Sequence, residues 1–226
     1  MEDKTLKEKL VILKELFILF DRLSKELKRA CVEGCSACCT RNVTLTGLEA
    51  KYVLDGLNSD EKEAILTKIV NESHKKRMVP QTTINELAKL CMAGEEPPEE
   101  FGDPAWGECP LLSDNRCMIY ALRPFACRCM ISKQRCDVTG FSEMDEYAVT
   151  LSNVFMQYLE HIDIGGHFGN LSDMLLIEGG NKSHVATIQP DNILVNKSLE
   201  MLMVPLEDRE MIAHVIKEIQ KTMILT

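Results

Sequence analysis

Ten cysteines stand in a chain of 226 residues, and eight of them fall into two groups. The first is Cys31-Val-Glu-Gly-Cys35-Ser-Ala-Cys38-Cys39, and the second runs from Cys109 through Cys117 and Cys127 to Cys136. Thiolates are soft ligands, and a short loop between two of them lets both reach one ion. Gly34, Ser36 and Ala37 are small enough for that turn. Each group alone offers part of a ligand set. Folding must therefore join two distant segments, and metal-binding free energy would appear as folding free energy. The adjacent pair Cys38-Cys39 adds a constraint. Neighbouring side chains point in different directions, which suits two neighbouring sites, a bridged two-metal site or a polynuclear cluster better than one tetrahedral ion. Four thiolates around one divalent ion leave a charge of about −2. Arg123 and Arg128 flank Cys127 and are positioned to offset it and to lower thiol pKa values.

A free cysteine is also a small buried hydrophobe. Cys91, beside Leu87 and Leu90 on a predicted helix, is read that way. Cys129 fits either role, and the other eight are read as ligands. The five histidines, His74, His161, His167, His184 and His214, are scattered and read as ordinary residues. His74 and His161 lie near predicted helix ends, where a protonated imidazole suits the dipole. The run Gly165-Gly166-His167-Phe168-Gly169-Asn170 lacks a preceding strand and a lysine–hydroxyl ending, so it reads as a flexible turn and not a phosphate loop. The Met residues fit core filling better than soft-metal ligation.

Helices must position these loops. Leu6, Leu10, Leu13, Phe17, Phe20 and Leu27 recur at helical spacing, broken only at Ser24. That helix is expected to pack on the domain or on a second copy. Thr46-Gly47-Leu48-Glu49 and Thr83-Ile84-Asn85-Glu86 match capping boxes. Between them a helix is predicted from Asn58 or Ser59 to about Lys76. Glu95 to Glu100 breaks the pattern as an exposed acidic loop. Tyr147, Leu151, Val154, Phe155, Tyr158, Leu159 and Ile162 mark a further helix ended by Gly165-Gly166. A short one is predicted at Leu171–Ile177. Pro190-Asp191-Asn192 between Val185–Ile188 and Ile193–Val195 predicts a small hairpin. Pro205 opens a final helix that buries Met211, Val215, Ile216 and Ile219. The cysteine loops carry few apolar anchors of their own.

Composition sets the class. Apolar residues make up 45% of the chain and aromatics 5%, which favours helices packed on helices. A net charge of −9 argues against broad binding to nucleic acid or anionic membranes. Met1-Glu2-Asp3-Lys4 leads into a charged amphipathic stretch and not a secretory core, so the expected location is the cytoplasm. Ten cysteines in a reducing compartment are ligands or catalytic thiols before they are disulfides.

The sequence resembles a known family of zinc- or iron-chelating proteins of the cysteine-cluster type, often called CxxxCC. The matching stretches are Cys31 to Cys39, Leu45-Thr46-Gly47-Leu48-Glu49-Ala50, Cys109-Pro-Leu-Leu, Cys117 through Tyr120 and Arg123-Pro124-Phe125-Ala126-Cys127-Arg128, then Cys136 followed by Gly140-Phe141. The resemblance covers about residues 30 to 141 and implies eight ligands: Cys31, Cys35, Cys38, Cys39, Cys109, Cys117, Cys127 and Cys136. It implies zinc, iron or a 4Fe–4S cluster as cofactor. Cys129 falls where relatives have an apolar or aromatic residue. The expected fold is mostly α: an irregular helical domain with two cysteine-rich metal-binding loops and a small β-hairpin near the C-terminus. Residues 1–30 form an amphipathic helix, 31–141 the metal-binding region and 142–226 a helical region packed on the same domain. The leading function is metal binding. The alternatives are an iron–sulfur protein with an electron-transfer or methylase-like enzymatic role, and a thiol-based redox or metal-stress sensor. The expected partner is a second copy through the N-terminal helix, with neither nucleic acid nor membrane.

Overall fold

Side-chain caps set where the helices begin. Thr5, Thr46 and Asn58 each accept a backbone N–H three residues on, and Glu8, Glu49 and Glu61 return the bond. In a computed structural model describing residues 4–31, 34–180 and 188–225, these caps open helices α1 (Leu6–Leu23), α2 (Gly47–Asp55) and α3 (Ser59–Asn71). Helix α4 (Ile84–Ala93) has half of its expected box. Thr83 accepts from the Glu86 N–H, but the Asn85 N–H goes to Glu160 of a distant helix. The cysteine region holds a two-stranded hairpin, β2 (Leu112–Ser113) and β3 (Arg116–Cys117), and two short helices, α5 (Phe125–Arg128) and α6 (Cys136–Thr139). Then follow α7 (Glu146–Ile162), α8 (Leu171–Glu178) and α9 (Arg209–Leu225). The fold is mostly α.

A small sheet departs from the sequence expectation. His167–Asn170, expected to be a flexible turn, is strand β4 (His167–Asn170), between β1 (Thr44–Thr46) and β5 (Leu194–Val195). Both pairings are antiparallel, with Leu45 opposite Gly169 and Phe168 opposite Leu194. The glycines serve close approach. A Cβ on Gly166 would sit 2.5 Å from the Asp163 carboxylate. Of the expected hairpin, Val185–Thr187 lies outside the described residues, as does His184, and Leu194–Val195 pairs with β4.

Two apolar cores flank the cysteine region. The first joins α1, α7 and α9 with Phe125 and Ile131. Phe125 packs edge-on to Phe20 at 4.6 Å between centroids and stacks on Phe155 at 5.8 Å. The second core joins β1, α2, α3 and α8 with Leu111 and Ile119. Helix α2 serves both, with Leu48 in the first and Ala50, Val53 and Leu54 in the second. The second cysteine group is thus well anchored, contrary to the sequence expectation, because Leu111, Ile119, Phe125 and Ile131 between its thiols are all buried.

Helix α7 is buried on its polar side too. Gln157 donates to the Met201 carbonyl and accepts from the Met203 N–H, while Glu160 accepts from Lys197 and Asp163 from Asn196. The extended segment after β5 therefore wraps α7. Burial raises the pKa values of Glu160 and Asp163. His161 is not the protonated helix-end imidazole expected. Its Nδ1 accepts the Leu199 N–H, a role that needs that nitrogen without a proton, and burial lowers its pKa.

Three further details differ from the pattern reading. Helix α3 stops at Asn71, short of Lys76. Cys91 is exposed on α4, whose buried positions are Asn85 and Ala88. On α9 Val215 and Ile219 are buried as expected, but their buried companion is Ile212, 1% exposed, and not Met211, 51% exposed. This last difference is measurable. Ile212→Ala should cost about 2–5 kcal/mol in urea denaturation, and Met211→Ala should stay within about 0.5 kcal/mol of wild type.

Candidate metal centre

The first cysteine loop is held at both ends. The Ala30 N–H donates to the Ser132 carbonyl at 2.8 Å, and the Cys31 thiol faces the Met130 carbonyl at 3.8 Å. The Cys39 N–H closes a turn on Ser36 at 2.9 Å. The Ser36 hydroxyl donates to Asn115 of the β2–β3 turn at 2.9 Å. Beyond the turn, Thr40 and Glu108 form an antiparallel bridge, and the Cys109 N–H donates to the Cys39 carbonyl at 2.8 Å. The two cysteine groups are therefore joined by backbone hydrogen bonds.

Local chemistry places the later thiols. Asp114 and Asn115 have φ of 50° and 60°, the two positive values of a type I′ turn, for which these residue types are well suited. That turn folds Cys117 back opposite Leu112, whose N–H donates to the Cys109 carbonyl at 3.0 Å. The dipeptide Asp114-Asn115 was the available signal for this hairpin, and pattern reading passed over it. Cys127 lies on α5, behind Pro124. The first N–H of that helix, on Phe125, donates to Glu49 Oε1 at 2.8 Å. Glu49 is 4% exposed, and its other oxygen accepts from the Thr46 N–H and hydroxyl at 2.9 and 3.0 Å. Cys136 opens α6 and is buried.

Cys31, Cys35, Cys38, Cys39, Cys109, Cys117, Cys127 and Cys136 all line one cavity of about 170 Å³. Leu111, Ile119 and Leu171 of the second core and Ile131 of the first complete its floor. Cys91 and Cys129 are not part of it. Cys129 is 6% exposed within the first core, its thiol 3.5 Å from the Ala126 carbonyl. All ten cysteines are free thiols. Among the described residues no histidine lines the cavity. Nor does any trio of His, Cys, Asp or Glu there stand in an arrangement that holds an ion as it is. Ligation would require the thiols to close inward. Met130 also lines the cavity.

Burial dominates the electrostatics. It pushes Cys109 up to about 11 and Cys127 well above the ordinary thiol value, the latter also through the charges of Cys109 and Cys117. Cys117 is raised by burial, with Arg123 in partial opposition, and Cys129 is pushed up to about 12. The thiols of Cys38 and Cys39 are hydrogen-bonded to each other, which lowers Cys38 to about 6 and raises Cys39. Of the expected arginine effects on the thiols, Arg123 acts on Cys117, while at Cys127 burial and the neighbouring thiols prevail. Arg128 is engaged by Asp21 at 3.0 Å and by the Arg123 and Ala121 carbonyls, and it lies over the Phe17 ring. Behind Cys109, the buried Arg41 pairs with Glu72, and its charge opposes the rise at Cys109.

A family model, CxxCxxCC, described as "Putative zinc- or iron-chelating domain", matches residues 30–148. No curated protein and no solved structure matches the chain. The match takes in both cysteine groups, and also Glu49 and Phe125, whose hydrogen bond ties α2 to α5. That bond has a measurable weight. Glu49→Gln keeps the volume but replaces one acceptor oxygen with an amide. A buried donor left unmatched should cost about 1–3 kcal/mol in urea denaturation of the metal-free protein, with Cys91→Ser unchanged as the control.

Proposed function

Because the chain belongs to the CxxCxxCC family, we propose that its eight cavity-lining cysteines chelate zinc or iron. The observation that carries this reading is the convergence of both cysteine groups on one cavity, while Cys91 and Cys129 stay off it. The thiols suit the ion chemically. Thiolate sulfur binds both zinc and iron readily, and only the deprotonated form ligates. Burial disfavours the thiolate form of Cys109 and Cys127, and an entering ion would take the place of their protons and neutralise charge that the protein alone disfavours.

When bound, zinc supplies a structural cross-link and iron adds redox capacity. The chain's own part is positional. Glu49 sets α5 and hence Cys127, the Asp114-Asn115 turn sets Cys117, and the Thr40–Glu108 bridge sets Cys39 beside Cys109. The electron-transfer, methylase-like and sensor readings rest on resemblance or thiol chemistry in general and have no geometric support of their own.

Anaerobic purification followed by metal and sulfide analysis tests the proposal. Zinc or iron should co-purify stoichiometrically, be lost in Cys39→Ser and Cys127→Ser, and be retained in Cys91→Ser. Brown colour with inorganic sulfide would identify iron in a cluster. Metal content equal in Cys39→Ser and wild type would contradict the ligand assignment. Chelation should also act unevenly. A structural metal contributes on the order of 10 kcal/mol in small zinc peptides. Hydrogen exchange should rise first around residues 34–40. Leu111, Ile119, Phe125 and Ile131 keep the second group seated in the cores, so protection there should persist.

A further inference from the structure

Charge is distributed unevenly along the middle of the chain. Residues 90–115 carry seven carboxylates and neither lysine nor arginine. Residues 116–135 carry five cations, Arg116, Arg123, Arg128, Lys133 and Arg135, and no carboxylate. The acidic stretch projects. Residues 91–102 are exposed without a break, and Pro97 and Pro98 stiffen them. Glu100 pins the far end by accepting the Gln81 and Thr82 N–H groups at 2.8 and 3.1 Å. Just beyond that pin Phe101 is 71% exposed, its ring edge-on to Trp106 at 5.4 Å. Among the described residues Glu95, Glu96, Glu99 and Asp103 take part in no ion pair.

The basic stretch surrounds the thiol cavity. Arg29, Arg123 and Arg128 line it, and among the described residues no carboxylate does. Arg116 is exposed and directly precedes Cys117, a lining residue. Arg128 is taken by Asp21. Arg29, Arg116 and Arg123 form no ion pair among the described residues. Apolar surface adjoins these charges. Tyr120 and Met130 line the cavity and are exposed, and the exposed Val138 and Phe141 lie between the lining residues Cys136 and Ser142. The Ser142 hydroxyl is buried without a hydrogen-bond partner. Unpaired charge beside exposed apolar side chains is the make-up of a contact surface.

The two surfaces are neighbours. Glu108 bridges to Thr40, and Cys109 beside it lines the cavity. A two-fold contact needs this arrangement, because each patch then meets its complement on the other copy. Within one chain the Glu100 pin holds the segment near the start of α4, and its carboxylates form no ion pair there.

We propose that a second copy of this chain docks on the cavity mouth through its acidic segment. Glu95, Glu96 and Glu99 of each copy face the arginines of the other, and Phe101 rests on the apolar rim. Each copy thereby closes the other's thiol cavity. A net charge of −9 on each copy opposes association in general, so the contact depends on this local match. The proposal is independent of the chelation reading.

Sedimentation velocity of the full chain, under reductant and at matched metal content, tests it. Wild type should dimerise at low salt and associate at least about tenfold more weakly in 1 M salt, where the Debye length falls to about 3 Å. Glu95→Lys/Glu96→Lys/Glu99→Lys should be monomeric, and so should Arg116→Glu/Arg123→Glu, each shown folded by circular dichroism. An equimolar mixture of these two variants should recover the dimer, because both contacts are complementary again. Phe101→Ala should weaken association about tenfold. Monomeric wild type would overturn the proposal and leave the acidic segment to a cationic partner of another kind. A dimer that survives either charge reversal would place the contact on another face, and a mixture that stays monomeric would remove the charge match. Either result would overturn it.

Discussion

A buried carboxylate with three donors holds the cysteine region to the rest of the molecule. Glu49 caps its own helix through Thr46 and, with its second oxygen, receives the first N–H of α5. Burial raises its pKa despite those donors. A costly buried group of this kind persists where it fixes geometry that packing alone leaves free. It stands between Leu48, in one core, and Ala50, in the other. Helix α5, with Cys127 and with the Phe125 ring inside the aromatic cluster, begins at that anchor.

The cavity then lies where the two cores meet. Apolar residues interleave with the thiols of the second group and are drawn into both cores, so that half of the site is built by hydrophobic burial. The first group is built differently, by turns and hydrogen bonds borrowed from the second: Ala30 to Ser132 and Cys109 to Cys39 through the backbone, and Ser36 to Asn115 through side chains. One half of the site is a scaffold and the other is laid against it. The charges follow the same logic. In a chain of net charge −9, Arg29, Arg123 and Arg128 line the cavity and Arg41 stands behind it. The positive field is local to the thiols that would carry negative charge when they ligate. No helix is long and apolar enough to cross a membrane among the described residues.

Much of this was legible in the sequence, for identifiable reasons. The spacing of Cys31 to Cys39 and Cys109 to Cys136 picked out the eight thiols that now share a cavity, and capping boxes marked α2 and, in part, α4. Local signals of that kind survive folding because they are satisfied locally. What failed depended on distant partners. The glycine-rich segment before Asn170 becomes a central strand only because β1 and β5 lie beside it. Beside the Thr83 cap, the Asn85 N–H is taken by Glu160, which arrives from another helix. Cys91 and Met211 fit an apolar stripe but face outward, because a period of 3.6 residues defines a face only to within a residue or so. Glu49 was visible as a cap and invisible as the anchor of Phe125, since its second bond spans 76 residues.

Anomalous diffraction from crystals of the metal-loaded chain, recorded on both sides of the metal absorption edge, measures the central claim most directly. The account predicts strong anomalous peaks inside the cavity, with density continuous from an ion to sulfurs of both groups, Cys39 on one side and Cys109 or Cys127 on the other. A loaded crystal whose metal peak lies outside this cavity, or is held by thiols of one group alone, would contradict it.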